Sequence, residues 1–115
     1  MSLTVVIPAF NESKSIKQTL DQIEASLSDI DYEIIVVDDN STDNTSEKIQ
    51  SFNEIILIKH EKNMGYGASI KSGIKKSKFD FIAITDADGT YPNNRINEFY
   101  KKLKKNDFDM IVGSR

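Results

Sequence analysis

The sequence predicts an α/β domain built on a largely parallel sheet of about five strands. Two observations carry this reading. Short β-branched runs alternate with stretches whose apolar residues recur at helical spacing, and almost every polar cluster follows directly on a strand. A chain of 115 residues is long enough for one modest core, so a single domain is expected over its whole length.

The first strand is expected over Leu3 to Pro8, β-branched and ended by proline. Asn11 or Ser13 is placed to cap a helix that gathers Ile16, Leu20, Ile23 and Leu27 on one face. The alternation continues with a strand over Glu33 to Asp38, a helix over Asp43 to Phe52 and a strand over Ile55 to His60. A helix from about Tyr66 to Lys76 and a strand over Phe79 to Thr85 follow. A helix from Pro92 or Asn93 to Lys104 and a strand over Met110 to Val112 complete the pattern. The last strand is expected to lack a neighbour, an exposed edge that favours a homo-oligomer.

Composition narrows the function. Apolar residues at 38% and charged residues at 29% describe a soluble globular protein. The longest apolar runs, Ile34 to Val37 and Ile55 to Ile58, are too short to be a transmembrane segment. The absence of cysteine excludes disulfides and thiolate metal sites, leaving carboxylates or the single His60 as ligands. A net charge of −3 gives no reason to expect nucleic acid as a partner. The start of the chain has no secretory character, so a cytoplasmic location is expected. Lys71, Lys75, Lys76 and Lys78, and again Lys101, Lys102, Lys104 and Lys105, read as solvated faces of two helices, with peripheral contact to the cytoplasmic membrane surface as the alternative.

In such sheets ligands bind beyond the carboxyl ends of the strands, and the polar clusters all fall there. Asp86 and Asp88, one residue apart after the fourth strand, can point two carboxylates at one place and suit Mg2+ or Mn2+ bridging to a diphosphate. Capping or turn formation is the competing reading for this pair. Of Asp38 and Asp39, one can accept hydrogen bonds from a base or ribose while the other supports the loop, and Asn40 to Asp43 is equally a helix-capping sequence with Glu47 in the first turn. Gly65-Tyr66-Gly67 lets backbone approach a ligand at a helix start, and Lys62 could meet a phosphate. His60 has no second histidine or acid at ligand spacing and reads as structural.

Together these segments resemble the family-two glycosyltransferases. The likeness runs through Val5 to Glu12, Glu33 to Asp43, Asn63 to Gly73, Asp86-Ala87-Asp88-Gly89-Thr90-Tyr91-Pro92 and Val112-Gly113-Ser114-Arg115, and is strongest to polyprenyl-phosphate sugar transferases of the dolichol-phosphate mannose synthase type. The resemblance implies the Rossmann-like, nucleotide-binding half of a GT-A fold, with helices on both faces of the sheet. It implies a nucleoside-diphosphate sugar as donor and a polyprenyl phosphate as acceptor, with inversion at the anomeric carbon. By position, Pro8, Ala9, Phe10, Glu12, Asp39, Lys62, Asp86 and Ala87 would bind the nucleotide, and Asp86 and Asp88 the metal. Thr90 stands where some members have glutamine, so a third protein ligand is not expected. The acceptor side and the acidic general base of the family are expected to be missing from this chain. Two rivals stay open: a non-catalytic or partner-dependent nucleotide-binding module, and a phosphatase of the haloacid-dehalogenase type, whose nucleophile motif Asp86-Ala87-Asp88-Gly89-Thr90 also resembles.

Overall fold

The structure is a computed structural model that describes residues 2–27, 30–52, 54–79, 81–85 and 110–112. In chain order the elements are β1 (Ser2–Ala9), α1 (Ile16–Ser26), β2 (Asp31–Asp38), α2 (Thr45–Gln50), β3 (Ile55–Lys59), α3 (Tyr66–Lys76), β4 (Phe81–Ile84) and β5 (Met110–Val112). The strands form one sheet in the order β3-β2-β1-β4-β5, with every pairing parallel. All the carboxyl ends therefore open on one rim. The last strand does not lack a neighbour as expected: β5 pairs with β4 and stands at one edge, with β3 at the other.

Strict alternation along the strands divides the core between the two faces of the sheet. Leu3, Val5 and Ile7 of β1, Ile34 and Val36 of β2 and Ala83 of β4 pack with Ile16, Leu20, Ile23 and Leu27 and with Ile49 of α2. Val6, Ile82 and Ile84 face the other way, against Ile70 and Ile74 of α3. Helices thus cover both faces, as expected. The fit of α3 is close: a Cβ on Gly73 would lie 2.4 Å from Val6 Cγ1, so only glycine lets this helix lie so near β1.

A buried polar cluster locks the far end of the sheet. The Glu33 carboxylate accepts from the Thr4 hydroxyl at 2.7 Å and from the Lys78 amide at 2.8 Å, joining β1, β2 and the exit of α3. Lys71, Lys75, Lys76 and Lys78 are exposed, the solvated face their spacing suggests.

Some boundaries differ from the sequence expectation. The first helix begins at Ile16 with Ser15 as its N-cap and no side-chain cap bond, because a turn in which Glu12 O accepts from the Ser15 and Ile16 amides precedes it. Asn11 and Ser13 do not cap it; both bind the neighbouring loop instead. The second helix is shorter than Asp43 to Phe52, and Asp43 lies before its Asn44 N-cap, holding the Thr45 amide at 3.0 Å. The helix expected near Pro92 to Lys104, and Lys101 to Lys105 with it, lie outside the described residues.

Candidate functional site

β1 leads to β2 and β3 on one side, while β4 and β5 lie on the other. The topological switch point is therefore between β1 and β4, where open α/β sheets bind ligands. Proline marks this place. The β1–β4 ladder runs as far as Val6↔Ile84, with the Thr85 amide donating to Val6 O at 3.1 Å. By the alternation of a parallel ladder the next rung would need an amide at Pro8, and proline has none. On its other side β1 continues to pair through Pro8↔Val37 and Ala9↔Asp38. Among the described residues β1 thus stays zipped to β2 beyond the last rung that it shares with β4.

The loops after β1 and β2 are stapled to each other. Asn11, in the left-handed region at φ 53°, accepts through Oδ1 from the Thr42 amide at 2.8 Å and the Asp43 amide at 3.3 Å. In return the Asn11 amide donates to Ser41 Oγ at 2.9 Å and the Glu12 amide to Thr45 Oγ1 at 3.0 Å. Lys48 Nζ donates to Ser13 O at 2.6 Å. Asparagine tolerates a positive φ better than other residues with a Cβ, which explains both Asn11 and Asn40, the latter at φ 62°.

The adjacent carboxylates divide their work. Asp38 supports its own loop, with Oδ1 accepting from the amide and hydroxyl of Ser41, while its buried Oδ2 has no hydrogen-bond partner among the described residues. Asp39 reaches the next loop. Its Oδ1 accepts from the Met64 amide at 2.8 Å and bonds His60 Nδ1 at 2.8 Å, and its Oδ2 accepts from the Gly65 amide at 2.8 Å. Gly65 begins α3 at φ 98°, a conformation that suits glycine. Burial pushes the Asp39 carboxyl up, but the His60 bond, the two amides and the His60 charge outweigh it and hold it below the ordinary carboxylate range.

His60 is structural in a more specific sense than its spacing suggested. Its ring is braced between Asp39 and Ser72 of α3, Nε2 lying 2.9 Å from Ser72 Oγ. The register makes this legible in retrospect. Asp38 pairs with Lys59, so Asp39 and His60, each one step further, leave neighbouring strands side by side.

Of the expected nucleotide residues, Pro8 and Ala9 are buried at the end of β1, Glu12 is half-buried, and Lys62 is exposed. Phe10 is 44% exposed at the same rim, a large apolar ring offered to solvent. Met64 and Tyr66, which the sequence reading did not single out as contacts, are exposed on the rim after β3. Asp86, Ala87 and Asp88 lie outside the described residues, as do Gly89 to Pro92 and Gly113 to Arg115. Among the described residues no group of three His, Cys, Asp or Glu could hold a metal, and no helix is long and apolar enough to cross a membrane.

The sequence matches the family described as Glycosyl transferase family 2 over residues 4–115. The chain belongs to this family. It is 38% identical to a dolichyl-phosphate beta-glucosyltransferase of Trichomonas vaginalis, over 97% of this chain and 38% of that protein. It is 32% identical to a dolichol-phosphate mannosyltransferase of Pyrococcus furiosus, over 100% of this chain and 33% of that one. The GT-A fold is shared with the mannosyltransferase PcManGT of Pyrobaculum calidifontis, solved in complex with GDP-Man and Mn2+, at a TM-score of 0.78, 25% identity, and coverage of 88% of this chain and 32% of that one. The chain spans about a third of the length of these proteins.

Proposed function

We propose that the chain forms the donor-binding half of an inverting glycosyltransferase that takes a sugar from a nucleoside diphosphate and gives it to a polyprenyl phosphate. The observation that carries this reading is the end of the β1–β4 ladder at Val6↔Ile84, just before Pro8 and at the switch point where open α/β sheets bind ligands, with the Phe10 loop following β1 on the same rim. Phe10 offers an apolar face to the base, and Asp39, at the end of the adjacent strand, offers an ionised acceptor to its N–H edge. Lys62 places a cation on the same rim for a phosphate. The names of relatives that act on dolichyl or dolichol phosphate support the acceptor class.

A divalent ion suits these side chains. Asp86 and Asp88 are hard oxygen donors two positions apart in sequence, directly after Thr85 at the end of β4. Asp86 and Asp88 would hold the ion together with oxygens of the donor phosphates. Bound there, Mg2+ or Mn2+ supplies charge neutralisation to the departing diphosphate. The chain's residues hold the base and phosphates so that the anomeric carbon faces the acceptor, whose oxygen attacks opposite the leaving group and inverts the centre. A phosphate acceptor is already ionised at neutral pH, so this attack requires no proton to be removed by the chain.

Calorimetry with uridine and guanosine diphosphates, with and without Mn2+, tests the reading. Metal-dependent binding of at least one is expected, and no metal-dependent binding of either contradicts it.

A further inference from the structure

We infer that the base pocket selects a base whose edge presents a single N–H, uracil or thymine, over guanine, and that His60 is the positioning residue that enforces this choice through Asp39. The inference rests on the donor-site reading above, in which Asp39 meets the base.

The argument is an inventory of acceptor sites. An ionised carboxylate has about four lone-pair sites, two on each oxygen. On Asp39 the Oδ1 pair is filled by His60 Nδ1 and the Met64 amide, and one of the Oδ2 pair by the Gly65 amide. Among the described residues one site on Oδ2 remains. Uracil and thymine present one imide N–H between two carbonyls and need one acceptor. Guanine presents two adjacent donors, a ring N–H and an amino group, which engage a carboxylate side by side and need a free site on each oxygen. With Oδ1 filled, one guanine donor is left unpaired, a loss that corresponds to about tenfold to a hundredfold in affinity. Adenine and cytosine set a ring-nitrogen lone pair beside their amino donor, and this faces the carboxylate charge.

His60 keeps Oδ1 filled. Its Nε2 meets Ser72 Oγ at 2.9 Å, so in the neutral ring the serine hydroxyl donates to Nε2 and the proton stays on Nδ1, facing Asp39. In the imidazolium both nitrogens donate, and Nδ1 still faces Asp39. Ser72 lies on α3, whose Gly73 is seated against Val6, so the brace is anchored in the sheet.

Calorimetry of the full chain with UDP, dTDP and GDP, each with Mn2+, decides the matter. UDP and dTDP are expected to bind at least about tenfold more tightly than GDP. His60→Asn sets an amide N–H near the position of Nδ1 and is expected to keep the ratio, whereas His60→Phe, checked for folding by thermal unfolding, brings it towards one. GDP binding as tightly as UDP and dTDP would overturn the inference and leave the donor-site reading standing. Absence of metal-dependent binding by all three would overturn both. An unchanged ratio in folded His60→Phe would remove His60 from the account, and should that variant not fold, the wild-type ratio and His60→Asn decide.

Discussion

His60 Nδ1 lies 2.8 Å from Asp39 Oδ1, a contact that joins the residue leaving β2 to the residue leaving β3. The same carboxylate takes the amides that begin α3, so a single buried side chain fixes two rim loops and the start of a helix.

Asp39→Asn should therefore be costly for folding as well as for nucleotide binding. The amide keeps one acceptor oxygen and turns an NH2 group towards a donor, so at least one backbone or imidazole N–H loses its partner. A loss of about 2–3 kcal/mol in urea unfolding is expected. A loss below about 0.5 kcal/mol would show that these hydrogen bonds contribute little.

Acid should loosen the same rim. The Thr45 hydroxyl and amide, with Ser13, bring Asp43 from the ordinary 3.8 down to about 2, and Asp39 is also held below its ordinary value. A carboxyl depressed in the folded state stabilises above its unfolded pKa, and that contribution disappears as pH falls through the folded value. The melting temperature should fall between pH 4 and about 2, and Asp43→Asn should flatten that part of the curve. An unchanged slope in Asp43→Asn would detach Asp43 from the acid response.

Gly73→Ala sets two effects against each other. Alanine favours a helix by about 1 kcal/mol over glycine, but its Cβ would meet Val6 Cγ1 at 2.4 Å on the central strand. Overpacking costs about 1–3 kcal/mol, so a net loss is expected on chemical denaturation. Combining it with Val6→Ala should cost less than the two single losses added together. Strict additivity would mean that the helix shifts freely.

The strands and α3 were legible in the sequence because β-branched runs such as Ile34 to Val37, and the spacing of Ile70 and Ile74, leave one arrangement that buries them all. Helix starts were less so. Asn11 and Ser13 have the chemistry of caps, yet they face a loop thirty or more residues away in sequence, and local pattern does not report which long-range partner wins. The Asp39–His60 contact was hidden for a related reason, since it depends on strand register across 21 residues rather than on spacing. The candidate nucleotide residues Pro8, Phe10 and Asp39 could be placed on the expected rim because each closely follows or ends a strand.

The central claim is that Asp86 and Asp88 hold a metal that bridges to the donor diphosphate. The most direct measurement is the Mn2+ dependence of nucleoside diphosphate affinity in Asp88→Asn, which keeps the side-chain shape and removes its charge. The account predicts that the wild-type gain on adding Mn2+ is lost, or reduced at least about tenfold, with thermal stability little changed. Equal affinity and equal metal dependence in the variant and the wild type would contradict it.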